Sequence, residues 1–382
     1  MSGWRRLLEE ESEHQWLSYA VFTVLVVIGA ILIDFSNELS GVHEGGQMNV
    51  DGIIVDSAGD AILYQAENGM RLSYNGQDND AAYATCLVEH EEFTFACLGN
   101  SGTIAYLQED HLLCDENWCE FPIGQDVTVT QISGNGLALL MAIEDGTSNS
   151  LGAMWLGEAN PNPIFTEHDG TMYIDVMVPT KEGWLVGGSW QSPANWLGSN
   201  PASPPMFELV ISVTWDGVSA PATEIVHMGD EGRIHGLFAT GDENYIATGT
   251  ADTVTIENGV ATSLGMQSYA AVSDGNDAVW LFGARGSTSV AIISDNEVTI
   301  EKLPDPLTFL PTYVACDDEG LISIHGTNIN DEPAALSIDS NARTSFTSLR
   351  GILDLGFMLV SILILSMMAW NVTDAIRKGE VF

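Results

Sequence analysis

Five cysteines are the residues best suited to covalent chemistry, and they lie between positions 86 and 316. Cys86 and Cys97 fall on two apolar segments that flank an acidic turn. If these segments form a hairpin that turns between Glu91 and Glu92, the two cysteines face each other across the strands. Cβ atoms in such pairs are about 4.5–5.5 Å apart, which is close to disulfide geometry. The spacing therefore predicts a cross-strand disulfide.

A second cysteine pair follows soon after, in the segment CDENWC that contains Cys114 and Cys119. Four neighbouring cysteines allow three pairings, and the sequence does not choose among them. The alternative is a zinc site completed by His90 and His111, but neither cysteine spacing is a standard zinc spacing. We favour disulfides. The fifth cysteine, Cys316, is interpreted as a small buried residue.

Acidic loops raise the question of calcium, which prefers several oxygen ligands at once. The candidate ligands are Asp317, Asp318 and Asp331, but no loop has the EF-hand spacing. With 53 Asp and Glu residues in the chain, such clusters also arise by chance. No cofactor is predicted, and calcium stays a possible ligand.

Catalytic signatures are missing from the sequence. It has no G-x-S-x-G elbow, no P-loop, no dinucleotide fingerprint and no H-E-x-x-H motif. His227 and His235 could be ligands, but we interpret them as ordinary strand-end residues. If the protein is an enzyme, we expect its site among Asp175, Arg233, His235 and Tyr313.

Tryptophans offer a different chemistry, that of contact with a partner. Trp196 lies in an insertion rich in Pro, Ser, Asn and Gly, from Gln191 to Met206, and Trp190 precedes it closely. Loops on rigid scaffolds often carry binding residues. We predict Trp190, Trp196 and Trp215 as binding residues; the alternative is that the tryptophan of the loop packs back on its own scaffold.

These residues sit on a repeated element. Seven times, an apolar β-type strand, a turn rich in Asp, Glu and Gly, and a second apolar strand follow one another; AILYQ and WLVGGSW are two of the second strands. A glycine-containing turn and a third strand come next, and often a weaker fourth strand. Four antiparallel strands that recur in this way predict an all-β repeat fold.

The repeat resembles the β-propeller superfamily, with seven blades, over roughly residues 45–348. Gly187–Gly188 is a Kelch-like double glycine, Trp215–Asp216 is a WD40-like pair, and SDGNDAVW from Ser273 is similar to the sialidase Asp-box. The chain is thus WD40-, Kelch- or YVTN-like without an assignable subfamily. A two-domain β-sandwich is the alternative. The resemblance implies that Gly45–Val50 supplies the outer strand of the last blade and so clasps the ring.

Two uncharged apolar runs flank the repeat, at Trp16–Ile33 and Leu355–Trp370. Each approaches the length that crosses a bilayer. Basic residues before the first run and after the second place both termini in the cytoplasm. The first run is interpreted as an uncleaved signal anchor, with a cleaved signal peptide as the alternative. The predicted order is a cytoplasmic segment (1–15), a span (16–35), an extracytoplasmic β-propeller (36–349), a second span (352–371) and a cytoplasmic tail (372–382).

The formal net charge of −42 excludes some partners. Such a surface repels nucleic acid phosphates, so we predict no nucleic acid binding. Most of the acids cluster in the turns of the middle region, so they are interpreted as a solvated coat. The composition resembles membrane-anchored proteins of salt-adapted archaea, and we expect the domain to gain stability between about 0.1 M and 1 M salt.

The sequence therefore predicts a propeller, held in the cell membrane by two spans, that binds or scaffolds a protein partner at the cell surface. We favour a non-enzymatic role. One alternative is an extracytoplasmic hydrolase or lyase with a site at the mouth of the channel. Another is a sensor or accessory subunit of a membrane complex. Fold-level analogy carries much of this inference.

Overall fold

The computed structural model describes most of the repeat and parts of the flanking segments. The described residues are 22, 24–29, 38–46, 50–74, 77–81, 84–90, 93–98, 103–108, 119–122, 128–144, 149–155, 164–167, 171–191, 205–241, 243–276, 278–294, 297–343, 356–357, 359–367, 369–370, 373 and 377. The chain divides into two units, Gly41–Ser340 and a second unit that combines Met1–Ser40 with Asn341–Phe382.

The unit Gly41–Ser340 is built from antiparallel strands that follow the predicted repeat. The described strands form seven four-stranded sheets. Sheet 1 contains β2 (Ile53–Ala58), β3 (Ala61–Ala66), β4 (Gly69–Tyr74) and β5 (Gln77–Asp80). Sheet 2 contains β6 (Ala84–His90), β7 (Phe93–Leu98), β8 (Thr103–Gln108) and β9 (Cys119–Pro122). Sheet 3 contains β10 (Thr128–Asn135), β11 (Ala138–Glu144), β12 (Asn149–Trp155) and β13 (Ile164–Glu167). Sheet 4 contains β14 (Thr171–Pro179), β15 (Gly183–Gln191), β16 (Phe207–Thr214) and β17 (Ala222–Glu231).

The other three sheets complete the series. Sheet 5 contains β18 (Ile234–Gly241), β19 (Asn244–Gly249), β20 (Thr253–Glu257) and β21 (Val260–Ser263). Sheet 6 contains β22 (Ala270–Ser273), β23 (Val279–Phe282), β24 (Ser289–Ser294) and β25 (Glu297–Lys302). Sheet 7 contains β26 (Leu310–Cys316), β27 (Leu321–Thr327), β28 (Pro333–Asp339) and β1 (Val42–Glu44), and a short 3₁₀ helix follows at Ser340–Arg343.

The sheets follow one another around a ring. In sheets 1 to 6 the innermost strand is the first in chain order, and in sheet 7 it is β26, because β1 lies at the outer edge of that sheet. Each innermost strand contacts the innermost strand of the next sheet, and β26 contacts β2 and closes the circle. Each sheet then runs outward by antiparallel neighbours. This radial order is that of a β-propeller, so the all-β propeller part of the prediction is confirmed, and the β-sandwich alternative is wrong.

Ring closure depends on a strand from the start of the unit. β1 pairs with β28, with His43 opposite Ser337. The N-terminal part of the unit does supply the outer strand of the last sheet, as predicted. The strand is β1, Val42–Glu44, and not Gly45–Val50, where we had placed it. The amide of Gly45 still bonds the Ala335 carbonyl at 3.1 Å. The pairing ends where the glycines Gly45 and Gly46 leave no side chain to pack.

The core lies between neighbouring sheets. The apolar side chains of β11, β15 and β16 alternate with those that face the other neighbour, as expected for strands buried on both faces. Between sheets 3 and 4, for example, Leu140, Trp184 and Ile211 belong to one buried cluster. The interior therefore consists of successive layers, one between each pair of sheets, rather than one central core.

Sheet 2 carries the predicted disulfide. Cys86 and Cys97 are paired directly across β6 and β7, and they form a disulfide with Cα atoms 5.0 Å apart. Cys114 and the side chain of Cys119 lie outside the described residues. Cys316 is half-buried and free, so its interpretation as a buried residue was only partly right.

Register defines two ends of the ring. We call the end at which the innermost strands begin the mouth, and the end at which each innermost strand turns into the second strand the turn face. Val42 pairs with Ile338 beside the Asp317–Leu321 turn of sheet 7. The amide of Asp339 bonds the carbonyl of Gly41 at 3.0 Å. The unit therefore begins and ends on the turn face.

The second unit contributes short helical stretches from the two predicted spans, residues 24–29 and 359–367. A Cβ atom added to Gly29 would lie 2.3 Å from Cε2 of Phe357, so the two segments approach closely at this point. No helix within the described residues has the length and apolar character needed to cross a bilayer. Much of each predicted span lies outside the described residues.

Candidate binding site at the mouth of the ring

The innermost strands share a local irregularity near the mouth. In six of the seven, the described register skips one residue relative to the second strand, which is a β-bulge. A bulge re-aims the side chain of the extra residue. The extra residues are Val55, Thr85, Thr130, Asp175, His235 and Thr312.

Glycines on the second strand make room for some of these bulges. Gly188 and Gly187 pair with the residues on either side of Asp175. A Cβ atom on Gly188 would lie 1.9 Å from the carbonyl oxygen of Tyr173. Gly326 meets the bulge at Thr312 in the same way, since its Cβ would lie 1.9 Å from the Leu310 oxygen. Close backbone approach thus explains Gly188 of the Kelch-like double glycine, whereas a Cβ on Gly187 would meet the side chain of Ile234 at 2.7 Å.

Threonine at a bulge donates a hydrogen bond from its hydroxyl group to a backbone carbonyl. The Thr85 hydroxyl donates to the Val129 carbonyl of the next sheet at 2.8 Å. Thr130 donates to the Ala142 carbonyl at 3.4 Å, and Thr312 to the His325 carbonyl at 3.5 Å. These side chains are structural, because buried carbonyls need a partner.

Asp175 differs from the threonines because only one of its two carboxylate oxygens has a partner. Its Oδ1 lies 3.8 Å from the Arg233 guanidinium, and Arg233 itself is largely exposed. Its Oδ2 is buried and accepts no hydrogen bond in the described structure. Burial raises the pKa of this carboxyl, and the charge of Arg233 opposes the rise. Asp175 is therefore a partly exposed carboxylate, with 28% of its side chain accessible, and its shielded Oδ2 has no donor among the described residues.

His235 occupies the bulge on the neighbouring sheet. Its Nε2 donates to the carbonyl of Ser268 and also lies 3.1 Å from the Ser268 hydroxyl. Its Nδ1 lies 3.5 Å from the Thr248 hydroxyl. Burial is the main cause that lowers the pKa of His235 to about 4, so the ring is neutral near pH 7. With Nε2 protonated and occupied, His235 is not placed to act as the base for Ser268, which is buried.

A cavity of about 310 Å³ opens beside Asp175, between sheets 3 and 4. Its floor is apolar, with Ala142, Leu151 and Met172, which also belong to the core cluster beneath. Its wall is polar. The polar lining side chains are Thr85, Thr130, Gln131, Glu144, Ser150, Tyr173 and Asp175. Register places all of them at the mouth.

The polar wall of the cavity can form hydrogen bonds with a ligand. The cavity offers two carboxylates and several hydroxyl groups as acceptors, and Asp175 is a carboxyl whose raised pKa also suits proton donation. The described residues show no nucleophile held by a free base beside the cavity. They also contain no group of three His, Cys, Asp or Glu side chains that could hold a metal.

The four residues that the sequence singled out for an enzyme fall into two places. Asp175, Arg233 and His235 are neighbours at sheets 4 and 5, with Arg233 3.8 Å from Oδ1 of Asp175 and close enough to His235 to affect its pKa. Tyr313 lies instead at the boundary between sheets 7 and 1, where its hydroxyl bonds that of Ser57.

Asp56 begins the acidic segment DSAGD, but it does not belong to the solvated coat that the sequence predicted. Asp56 lies within β2, one residue after the bulged Val55. Its carboxylate accepts hydrogen bonds from the amides of Ser57 at 2.9 Å and of Leu87 on sheet 2 at 2.8 Å. Burial nevertheless raises its pKa to about 6. Asp56 therefore links two sheets rather than facing solvent.

Glu208 was also missed, and it is fully buried on β16. Its Oε1 accepts hydrogen bonds from the amides of Ala251 at 2.7 Å and Asp252 at 3.2 Å, which lie on sheet 5. Burial raises its pKa. Its sequence signal was a single acid at the start of an apolar strand, FELVISV, where an outward-facing residue is the ordinary expectation.

The predicted tryptophans occupy different environments. Trp190 is half-buried and packs against the cluster between sheets 3 and 4. Trp215 packs on Trp155, with ring centroids 4.9 Å apart, and donates from Nε1 to the Ser219 carbonyl at 2.8 Å. This pair lies on the turn face, away from the cavity. Trp196 and most of its insertion lie outside the described residues.

The predicted calcium ligands are divided between the two ends of β27. Asp317 is in the turn before that strand, where its Oδ1 accepts from the amides of Glu319 at 3.0 Å and Leu321 at 2.8 Å. Asp331 is in the turn after it, with a positive φ of 59°. One ion could not bind Asp317, Asp318 and Asp331 together.

Comparison with solved structures gives the fold. A structure of streptogramin B lyase superposes with a TM-score of 0.52 at 12% identity, over 78% of this chain and 97% of that one. YCF48 bound to a D1 peptide superposes with a TM-score of 0.51 at 10% identity, over 80% and 98%. A puromycin-hydrolysing peptidase of Mycobacterium tuberculosis gives 0.52 at 10% identity, over 82% of this chain and 53% of the peptidase, so the match spans about half of that protein.

Other comparisons return nothing further: no family model matches the chain, and no curated protein matches it. At 10–12% identity, similarity to these three structures establishes architecture and not activity. Together with the ring of four-stranded sheets, these structures show that the chain has the β-propeller fold.

Proposed function

We propose that this protein is a membrane-anchored extracytoplasmic β-propeller that binds a protein partner at the mouth of the ring. In this proposal each of the seven sheets is one blade. The observation that carries the proposal is the separation of the two ends of the ring. The chain enters and leaves the propeller on the turn face, where Asp339 bonds Gly41, whereas the cavity with Asp175 opens at the mouth.

The position of the chain ends supports anchoring. Two apolar segments that leave from adjacent points on one face can lie side by side without long linkers. Residues 24–29 and 359–367 are helical, and Gly29 meets Phe357. Small residues allow close helix approach in bilayers.

Anchoring is tested by extracting membranes with alkaline carbonate and by adding protease outside intact cells. We expect the full chain to stay in the membrane fraction. We also expect protease to cut the propeller while tags on both termini stay protected. Release by carbonate, or digestion of either terminal tag in intact cells, would contradict the proposal.

Partner binding is tested by placing a photo-crosslinking amino acid at single positions. Tyr173 lines the cavity and is 37% exposed, so the substitution there should give an adduct of one defined mass in cells. Ile300, 69% exposed on the outer strand of sheet 6, is the matched control and should give none. Equal labelling at both positions, or no adduct at position 173, would contradict the proposal.

A second candidate, an enzyme of the hydrolase or lyase class, is favoured by one observation, the raised pKa of Asp175 beside a cavity. In such an enzyme, Asp175 would donate a proton and Arg233 would hold the substrate. The neutral, fully engaged His235 does not assist it. Turnover of a substrate that is abolished by Asp175→Asn would favour this candidate over binding.

A further inference from the structure

We propose that the cavity beside Asp175 is a recognition pocket for one basic side chain, a lysine or arginine of a bound peptide segment. This inference rests on the proposed function, because it specifies the chemistry by which a protein partner would be held. The size of the cavity, its charge and its position support it.

Size limits the occupant to a single side chain or a small molecule. The cavity measures about 310 Å³, at the lower end of the roughly 300–1,000 Å³ typical of ligand pockets. Met172 on the floor, which is 5% exposed, offers apolar surface to the methylene groups of such a side chain, and the fully buried Leu151 lies beneath. Long basic side chains commonly bury an apolar stem and keep a polar head among polar groups.

Charge selects a cation. Glu144 and Asp175 both line the cavity, and among the described residues that line it none is Lys or Arg. Arg233 approaches the other oxygen of Asp175 at 3.8 Å, which leaves Oδ2 buried and unpaired. A buried carboxylate oxygen without a donor is costly, and a charged N–H donor compensates it best.

The remaining polar groups suit an ammonium or guanidinium rather than a metal ion. Ser150, Thr130 and Gln131 present oxygen acceptors around the same space, and a lysine head donates three hydrogen bonds and an arginine head five. The described residues show no three-ligand metal group.

The test uses the full chain in detergent, labelled with ¹³C at methionine methyl groups, because the Met172 side chain lines the cavity. The probe is Nα-acetyl-lysine methylamide, and its uncharged match is Nα-acetyl-norleucine methylamide. The lysine probe should shift the Met172 methyl resonance saturably, whereas the norleucine probe should not. The Met172→Leu variant identifies that resonance.

Two variants locate the charge. Asp175→Asn should weaken binding of the lysine probe at least ten-fold, because it removes the charged acceptor and nearly keeps the volume. Asp318→Asn removes one exposed charge on the turn face and should leave binding unchanged, which controls for general attraction to this acidic protein. A cooperative thermal unfolding transition, measured for each variant, checks that it is folded.

Three results would overturn the inference: an equal response to norleucine, unchanged binding by Asp175→Asn, or displacement of the lysine probe by millimolar calcium. The outcome is separable from that of the proposed function. A crosslinked partner at position 173 that is retained by Asp175→Asn would refute the basic-residue pocket alone. Binding of the lysine probe without any crosslinked partner would refute the partner proposal alone.

Discussion

Asp56 and Asp175 are two carboxylates on innermost strands, each at or next to a β-bulge, but their side chains have different surroundings and different hydrogen-bond partners. Asp56 follows the bulged residue, so its side chain turns between sheets 1 and 2 and accepts two amide hydrogen bonds. Asp175 is itself the bulged residue, so it faces the cavity with one oxygen unpaired. A shift of one position separates a carboxylate that holds two sheets together from one that can meet a ligand.

The comparison shows that residue type does not decide the role. Both carboxyls have a pKa raised by burial. The difference lies in which donors the fold supplies. Two backbone amides are aimed at Asp56, whereas the donor nearest to Asp175 is the exposed guanidinium of Arg233.

The largest effect is expected from breaking the bulge at Asp175. Gly188→Ala would place a methyl group 1.9 Å from the Tyr173 carbonyl oxygen, and the backbone would have to move. We expect the free energy of unfolding to fall by about 3 kcal/mol, in the range of overpacking. Thr223→Ala, on the exposed outer strand of the same sheet, should change it by less than about 0.5 kcal/mol. Denaturant titration followed by tryptophan fluorescence measures both, and similar effects would argue against the close approach.

Asp56 can be separated from Asp175 by pH. The folded pKa of Asp56, about 6, exceeds its ordinary value of 3.8, so the folded protein prefers the protonated form. Protonated Asp56 therefore contributes to the free energy of unfolding. This contribution is complete below pH 3.8 and is lost as the pH rises through 6.

We expect the stability of the wild type, relative to Asp56→Asn, to decrease by about 2 kcal/mol between pH 4 and pH 7. Urea unfolding of both proteins at a series of pH values measures this difference. The Asp175→Asn variant serves as the comparison. The difference in stability between the wild type and Asp175→Asn should change with pH in the same direction but by less, because Arg233 opposes the rise in the pKa of Asp175. A difference for Asp56→Asn that is constant with pH would contradict the buried, destabilised carboxylate.

The smallest effect concerns the bulges that carry threonine. Thr85→Val keeps the shape and removes the donor to the Val129 carbonyl at 2.8 Å, so we expect a loss of about 1 kcal/mol in unfolding free energy. Thr255→Val removes a weaker, exposed contact at 3.4 Å and should cost less. If Thr255→Val costs as much, the bulge hydroxyls have no special role.

Sequence reasoning predicted the repeat and the all-β class well, because alternating apolar segments and Gly-Asp turns are local signals. It also placed the Cys86–Cys97 bridge, since hairpin register follows from the position of the turn. It misplaced the clasp strand, because β1 has just three residues and no local pattern of its own. The pairing of β1 with β28 brings together residues nearly 300 positions apart.

The candidate site was predicted in part. Asp175, Arg233 and His235 were named as residues to inspect, and they lie together. The cavity and its polar wall were not predicted, since they combine residues from sheets 2, 3 and 4. A usable signal existed, because the second strands of several units carry a glycine at or near their end. Gly188, Gly249 and Gly326 each pair with the residue just before a bulge.

The sequence by itself determined the repeated four-stranded element, the acidic turns and the two apolar flanking segments, because each depends on the order of neighbouring residues. Tertiary structure alone decided which acids are buried and which face a cavity. Asp56, Asp175 and Glu208 have similar sequence surroundings, and their roles depend on amides and charges supplied by adjacent sheets. Burial and donor placement arise only when the ring closes, so no local pattern encodes them.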